Sequence, residues 1–344
     1  DTLHLEAPGP YGAAFLSQWS LDGRCIWARN VALSGADQFG NSCGVEAVAL
    51  DGQGRILVGG HTAPVDPNLL GGRPIPQGTF TAAYTTTGDT LWTRMVATYD
   101  GTSRMLHPLE MQTRDGHAFV YNALYLTHAT DTLQIADSVV TGYSGGGYGL
   151  FRMNTEDGAL DWFTTDDWHQ GPVPWQFPHQ FALGDDGDAF VAGSYGTAVF
   201  STDTLDAPGQ SSGGFIAKYD TTGTLLWVRG YEASNGSVAF AALSKLPSGG
   251  IGTVGSMVGT VSWDGISQSS GTYSLFLATF SETGDCLGVE SGIGPSTGVS
   301  IQASPDGLYL TGAFPPYTPP IPPFLPITIG STTYNTFGWT DAFL

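Results

Sequence analysis

Short apolar runs, each broken by Gly, Asp, Asn or Pro, follow one another along the whole chain. Phe215-Ile216-Ala217-Lys218-Tyr219 leads into the polar stretch Asp220-Thr221-Thr222-Gly223 and then into Thr224-Leu225-Leu226-Trp227-Val228-Arg229. Strand-like runs joined by a turn ending in Gly predict an antiparallel hairpin, because Gly supplies the positive φ the turn needs. A second kind of hairpin is marked by Asp-Gly between apolar runs. It occurs at Asp51-Gly52 before Ile56 to Gly60, at Asp115-Gly116, at Asp186-Gly187 and at Asp306-Gly307, with Gly249-Gly250 in the corresponding place before Ile251 to Gly255. Segments such as Thr197-Ala198-Val199-Phe200 and Thr260-Val261-Ser262-Trp263 predict one further strand at the edge. No stretch carries apolar residues at helical spacing free of Gly and Pro, so the pattern predicts an all-β chain.

The hairpins recur in register. An apolar anchor is followed eight positions later by Gly and twelve positions later by Trp: Phe15, Gly23 and Trp27, then Phe80, Gly88 and Trp92, then Leu150, Gly158 and Trp162, then Phe215, Gly223 and Trp227. A fifth copy has Phe276 and Gly284 but Gly288 in the Trp position, and a partial sixth begins at Phe343. The anchors are 65, 70, 65, 61 and 67 residues apart. Such a repeat predicts like units that bury their apolar faces against one another. About four strands per unit suits a propeller blade, so residues 1–344 are expected to form one β-propeller domain of five repeats with four-stranded antiparallel blades. Asp1 to Phe15 resembles Asp203 to Phe215, and Ile329 to Phe343 occupies the same part of the repeat. The extra piece is expected to help close a five-bladed ring; the alternative is a slice of a larger propeller or repeat array.

Composition narrows the function classes. The 344 residues include 49 Gly, and 31 Asp plus Glu against 11 Lys plus Arg give a net charge of −20. That field repels phosphate backbones and anionic lipid, so nucleic acid is not an expected partner. No apolar run is long enough to span a bilayer as a helix, so membrane insertion is not expected. No basic-then-apolar leader opens the chain; if the protein is exported, its leader is expected to have been removed. Cys25, Cys43 and Cys286 show no metal-ligand spacing, and an odd count leaves at least one unpaired within the chain.

The strings GGFIAKYDTTGTLLWVRG (213–230), DGDAFVAG (186–193), GTAVF (196–200), GTVSW (259–263) and DAFL (341–344) resemble the β-propeller repeat of secreted bacterial proteins. The resemblance covers essentially the whole chain. It implies relatives among exported proteins of the Bacteroidota, often carried by type IX secretion and ending in a sorting domain. No sorting domain is visible in the sequence, which favours a trimmed or truncated chain. The resemblance implies an extracellular or cell-surface location and no particular reaction, since a propeller is a scaffold for many functions.

Candidate chemistry is sparse. Trp27, Trp92, Trp162 and Trp227 could be read as a sugar-binding ladder, but their fixed place in the repeat argues for core packing between blades. The segment Asp166 to His179 is richer: Asp166, Asp167, Trp168, His169, Trp175, Phe177 and His179 lie in a stretch lengthened by prolines. Read as a loop, it could stack a sugar ring and hydrogen-bond its hydroxyls, or contact a protein; a loop folded on its own aromatics is the plainer reading. The proline-rich Phe314 to Pro326 predicts extended polyproline backbone. Asp185, Asp186 and Asp188 resemble part of a Ca²⁺ loop, though the plain turn of the other units explains them too. No other cofactor or metal is expected, the seven His residues being scattered. No nucleophile elbow or phosphate loop is present. The expectation is therefore a secreted, non-catalytic binding or structural module for a protein or glycan. The alternatives are a glycoside hydrolase with axial carboxylates and a subunit of an extracellular assembly.

Overall fold

A computed structural model describes residues 5, 11–35, 43–62, 69–70, 72–100, 106–126, 132–141, 145–169, 180–201, 203–207, 212–292, 297–314, 327–329, 332–334 and 341–343. Among them there are strands and turns and no helix. The chain divides into two compact units, 1–165 and 166–344.

In unit 1 the strands are β1 (Tyr11–Trp19), β2 (Cys25–Gly35), β3 (Gly44–Leu50), β4 (Ile56–Thr62), β5 (Leu69–Leu70), β6 (Arg73–Pro74) and β7 (Gly78–Tyr84). They continue as β8 (Thr90–Asp100), β9 (Leu106–Arg114), β10 (His117–Leu126), β11 (Thr132–Ile135), β12 (Ser138–Thr141), β13 (Gly145–Asn154) and β14 (Leu160–His169), the last of which runs on into unit 2. Unit 2 holds β15 (Gln180–Leu183), β16 (Ala189–Tyr195), β17 (Thr197–Val199), β18 (Thr204–Asp206), β19 (Gly213–Tyr219), β20 (Leu225–Tyr231) and β21 (Ala233–Lys245). It ends with β22 (Ile251–Trp263), β23 (Ile266–Phe280), β24 (Cys286–Ser291), β25 (Thr297–Ser304), β26 (Gly307–Phe314), β27 (Ile327–Ile329), β28 (Thr332–Tyr334) and β29 (Asp341–Phe343).

The recurring element is a four-stranded antiparallel meander, the form of a propeller blade. The first blade is β3-β4-β7-β8, with the β11–β12 hairpin added to β8. The second is β9-β10-β13-β14, the third β15-β16-β19-β20 and the fourth β21-β22-β23-β24. The last, β25-β26-β29, has three strands, and β1–β2 forms a hairpin extended by β5 and β6. The fold class is thus all-β and propeller-like, as the hairpin pattern predicts. An Asp-Gly turn opens the first, second, third and last blades and a Gly–Trp hairpin closes the first three; the fourth opens on Gly249-Gly250 and closes on Gly284 without the Trp.

Burial explains the composition of the central strands. β7, β16 and β19 are buried at every residue, whereas the edge strand β20 is buried only at Leu225, Val228 and Tyr231. A strand covered on both faces favours apolar and small residues, and the one charge in these three strands, Lys218 of β19, is met by Asp188 and Glu282. Large anchors meet glycines: Gly60 pairs with Phe80, Gly193 with Phe215 and Gly255 with Phe276. A Cβ on Gly60 would lie 2.5 Å from the Phe80 ring, so the glycine leaves the space the ring fills.

The second blade departs from this scheme, and Leu150 is not its anchor. Gly149 pairs with Asn122, so the large and small partners are exchanged across the pair, and Leu150 pairs with Tyr121. The cause is a longer turn. Asn154 N–H bonds Ala159 O across four intervening residues, where Thr85 N–H bonds Asp89 O across three. The extra residue keeps the eight-residue spacing in sequence while moving the chain by one position, and one position turns a side chain to the other face. Phe343 pairs with Gly312 of β26 rather than with β1.

Three of the repeat Trp residues, Trp27, Trp92 and Trp227, each meet the Gly of the following closing hairpin. A Cβ on Gly88 would lie 2.9 Å from Trp27, one on Gly158 2.7 Å from Trp92, and one on Gly284 3.0 Å from Trp227. All three glycines have φ between 73° and 85°. Each indole also donates to a carbonyl of that turn: Trp27 to Thr86 O at 2.9 Å, Trp92 to Thr155 O at 3.1 Å and Trp227 to Glu282 O at 3.1 Å. The ring therefore packs against the next turn and satisfies its own N–H there. Trp27 and Trp92 are buried, and Trp162 and Trp227 are half-buried.

Candidate functional site

The segment singled out as a binding loop begins as strand. Asp166 to His169 complete β14, and Asp167, Trp168 and His169 pair with Val199, Ala198 and Thr197 of β17. The loop reading is corrected for these four residues: ladder pairing extends β14 past the point where the sequence turns polar. Trp175, Phe177 and His179 lie outside the described residues, as do the side chains of Asp166, Asp167, Trp168 and His169. Pro315 to Pro326 likewise lie outside them.

Beside this strand lies a polar group that sequence reading did not single out. Thr197 Oγ1 donates to Asp206 Oδ1 across the β17–β18 hairpin at 2.7 Å. The Tyr195 hydroxyl donates to Glu232 Oε1 at 3.4 Å. Burial, then the charges of Glu232 and Asp206, raise the Tyr195 phenol far above its ordinary range, so it remains a neutral donor. The ring sits where Gly213 and Gly230 leave room, each with a would-be Cβ within 2.7 Å of the Tyr195 hydroxyl. Thr197 and Asp206 of the β17–β18 hairpin, with Tyr195 at the end of β16 and Glu232 between β20 and β21, are hydroxyl donors and carboxylate acceptors of the kind that engage a hydroxylated ligand. The only sequence signal was the pair of glycines, which read equally well as turn or strand.

The Ca²⁺ candidates have lysines as neighbours. Asp188 Oδ2 lies 3.0 Å from Lys218 Nζ, and Asp185 forms an ion pair with Lys245. Asp186 is exposed in the turn. These lysines are the only two in the chain. Among the described residues no group of His, Cys, Asp and Glu is arranged to hold a metal ion. His61 and His117 each face a carboxylate, Glu46 at 2.7 Å and Asp161 at 2.8 Å. The three cysteines are free thiols.

The other charged clusters join neighbouring blades. Lys218 donates to Glu282 Oε2 at 2.7 Å and lies 5.0 Å from the centre of the Phe190 ring. Glu282 in turn accepts from Gly250 N–H at 2.9 Å. Burial alone would lower the lysine, but its bonds to Glu282 and Asp188 win and raise it. Burial likewise opposes ionisation of Glu282, and Lys218 with Gly250 N–H overcomes it, holding the carboxyl below its usual range. In unit 1, Asp51 holds Arg55 Nε at 2.6 Å while Arg55 Nη2 reaches Thr155 Oγ1 at 2.8 Å. Burial pushes Asp51 up, but Arg55 and the backbone N–H of Arg55 and Gln53 pull it below the carboxylate range.

No family model matches the chain, and no curated protein matches it. Among solved structures it is similar to a protein of unknown function from Bacteroides caccae, at 11% identity over 78% of this chain and 86% of that one, with a TM-score of 0.34. It is also similar to the Dos1 propeller, at 12% identity over 78% of this chain and 66% of that one, with a TM-score of 0.30. Likeness at this level carries no argument about this chain; its fold class rests on its own sheets.

Proposed function

We propose that this chain is a non-catalytic binding or structural module, built on a propeller-type array of five repeats and working outside the cell or at its surface. The observation that supports this most is the use made of its ionisable groups. Asp51, Asp220 and Glu282 are all held below the usual carboxylate range by turn N–H groups and by cations or hydroxyls of their own junctions. These three carboxylates are therefore unsuited to act as the general acid of glycoside hydrolysis, which needs the opposite shift. Binding is assigned to the Asp166–His179 segment together with the β17–β18 hairpin, and the ligand to a glycan or a hydroxyl-rich protein surface. The acidic charge and the resemblance of the repeat to exported propeller proteins support the extracellular location.

The test is a glycan and surface-protein array probed with the whole chain, alongside an assay for release of reducing sugar from any glycan it retains. Retention without turnover, lost on Trp175→Ala and Glu232→Gln, is the expected result. Release of sugar ends the non-catalytic reading. Fractionation of the producing cell with an antibody against the chain tests the location.

A further inference from the structure

The β1–β2 hairpin repeats the outer half of a blade, pair for pair. Phe15, Ser17 and Trp19 pair with Asn30, Ala28 and Cys25, as Phe80, Ala82 and Tyr84 pair with Met95, Thr93 and Thr90. Phe215, Ala217 and Tyr219 in β19, and Phe276, Ala278 and Phe280 in β23, hold the same register. These three trios are at most 1% exposed, whereas Phe15 is 58% and Trp19 60% exposed. The opposite face of β1 is not bare: Ala14 and Leu16 join the core cluster of Val58, Phe80 and Ala82. β1 also stands at the end of its sheet. One flank of the hairpin therefore presents a finished blade face, with two large aromatics in the places that are otherwise core.

Unit 2 carries a bare face of the complementary kind. Gly312 pairs with Phe343 as Gly60 pairs with Phe80 and Gly193 with Phe215. Three residues before these glycines stand Tyr309, Leu57 and Phe190. Leu57 and Phe190 are 0% exposed and Tyr309 is 57% exposed. Leu57 packs into one cluster with Phe151 and Met153 of the following blade, and Phe190 into one with Phe276, Ala278 and Phe280 of the following blade. The Tyr309 position is thus the one that meets a trio of the Phe15–Ser17–Trp19 type elsewhere in the chain.

We propose that the Phe15–Ser17–Trp19 face of one copy docks on the Tyr309 face of the last blade of a second copy, head to tail. The two faces are of opposite kind, so the contact is heterologous, and repetition of it builds a ring or a filament. Exposed aromatics that cluster on one flank are what interfaces enrich. Ser17, whose hydroxyl accepts from the Trp19 indole N–H at 3.0 Å, stands where Ala82, Ala217 and Ala278 stand in the packed blades. The inference does not depend on which ligand the module binds.

The test uses the full chain with Cys25, Cys43 and Cys286 replaced by Ser. One preparation carries Ser17→Cys, another Tyr309→Cys, and they are mixed and oxidised. A disulfide joining the two different preparations is expected. Disulfides only between identical preparations overturn the proposal, and so does a Ser17→Cys/Tyr309→Cys double variant that closes only within itself when dilute. Sedimentation of the unaltered chain is expected to show mass rising with concentration. Trp19→Lys is expected to weaken that association about tenfold or more while leaving the melting temperature unchanged, because Trp19 is exposed in the single chain. A mass that stays at one chain across the concentration range overturns it as well.

Discussion

The junction between the first and second blades and that between the third and fourth solve one problem with different residues. Each has a Trp over the next turn's Gly, and each has a cation linking an Asp of the Asp-Gly hairpin to the next blade's closing turn. In unit 1 these are Arg55, Asp51 and Thr155; in unit 2 they are Lys218, Asp188 and Glu282. One cation comes from the turn before β4 and the other from β19, and the acceptors differ in charge. The place in the fold is what repeats, and the chemistry filling it is free to vary provided that a buried cation is met on both sides. The difference shows in electrostatics: unit 1 crosses between blades to a neutral hydroxyl, unit 2 to a carboxylate.

The largest expected effect is at Lys218. Replacing it with Met leaves Asp188 and Glu282 without their cation and is expected to cost about 3 kcal/mol, allowing for the solvent that screens Glu282. Arg55→Met is expected to cost less, about 2 kcal/mol, because its cross-blade partner is neutral. Denaturant unfolding followed by hydrogen exchange in each unit checks both; equal losses would mean that acceptor charge is irrelevant.

Next come the glycines under the indoles. Gly158→Ala and Gly284→Ala each combine a positive φ with a methyl pressed into a ring, and are expected to cost about 2–3 kcal/mol. Gly23→Ala has the same backbone strain, with φ of 82°, but nothing within 4 Å of the new methyl. It is expected to cost only about 1 kcal/mol. If the three melting temperatures fall together, the ring contact contributes nothing.

Acid sharpens the comparison further. Asp51 and Glu282 are held below their ordinary pKa, so their stabilising contribution is complete above the carboxylate range and is lost as pH falls through the folded values. Both junctions then lose a carboxylate, but only unit 2 loses its cross-blade arm. On acidification exchange protection is expected to fall further in β22–β23 than in β7–β8, and Glu282→Gln is expected to flatten that difference. The smallest effect is Thr155→Ala, about 1 kcal/mol, read as a change in melting temperature.

Much of this was legible in the chain. The Asp-Gly hairpins, the Gly-ended turns and the order of strands are local matters of φ and alternation, and the structure follows them in the first, third and fourth blades. The second blade was misread at Leu150 because spacing in sequence cannot tell a longer turn from a moved anchor. The junctions were illegible for a related reason. Gly158 and Trp162 stand in one repeat, yet Gly158 meets Trp92, and Lys218 finds Glu282 sixty-four residues away. The candidate segment was legible only as unusual composition; that its first residues pair as strand with Thr197 to Val199 depends on a partner thirty residues on.

The sequence by itself determined the all-β class, the length of the repeat and the hairpin turns, because backbone conformation at Gly, Asp and Pro is set by near neighbours. Only the tertiary structure decided which face each aromatic meets. Phe15 and Phe276 hold the same place in the repeat, each followed by Leu and each paired with a polar residue, yet one is exposed and the other buried. Burial is a property of what stands opposite a strand, and in a stacked array that is always another repeat.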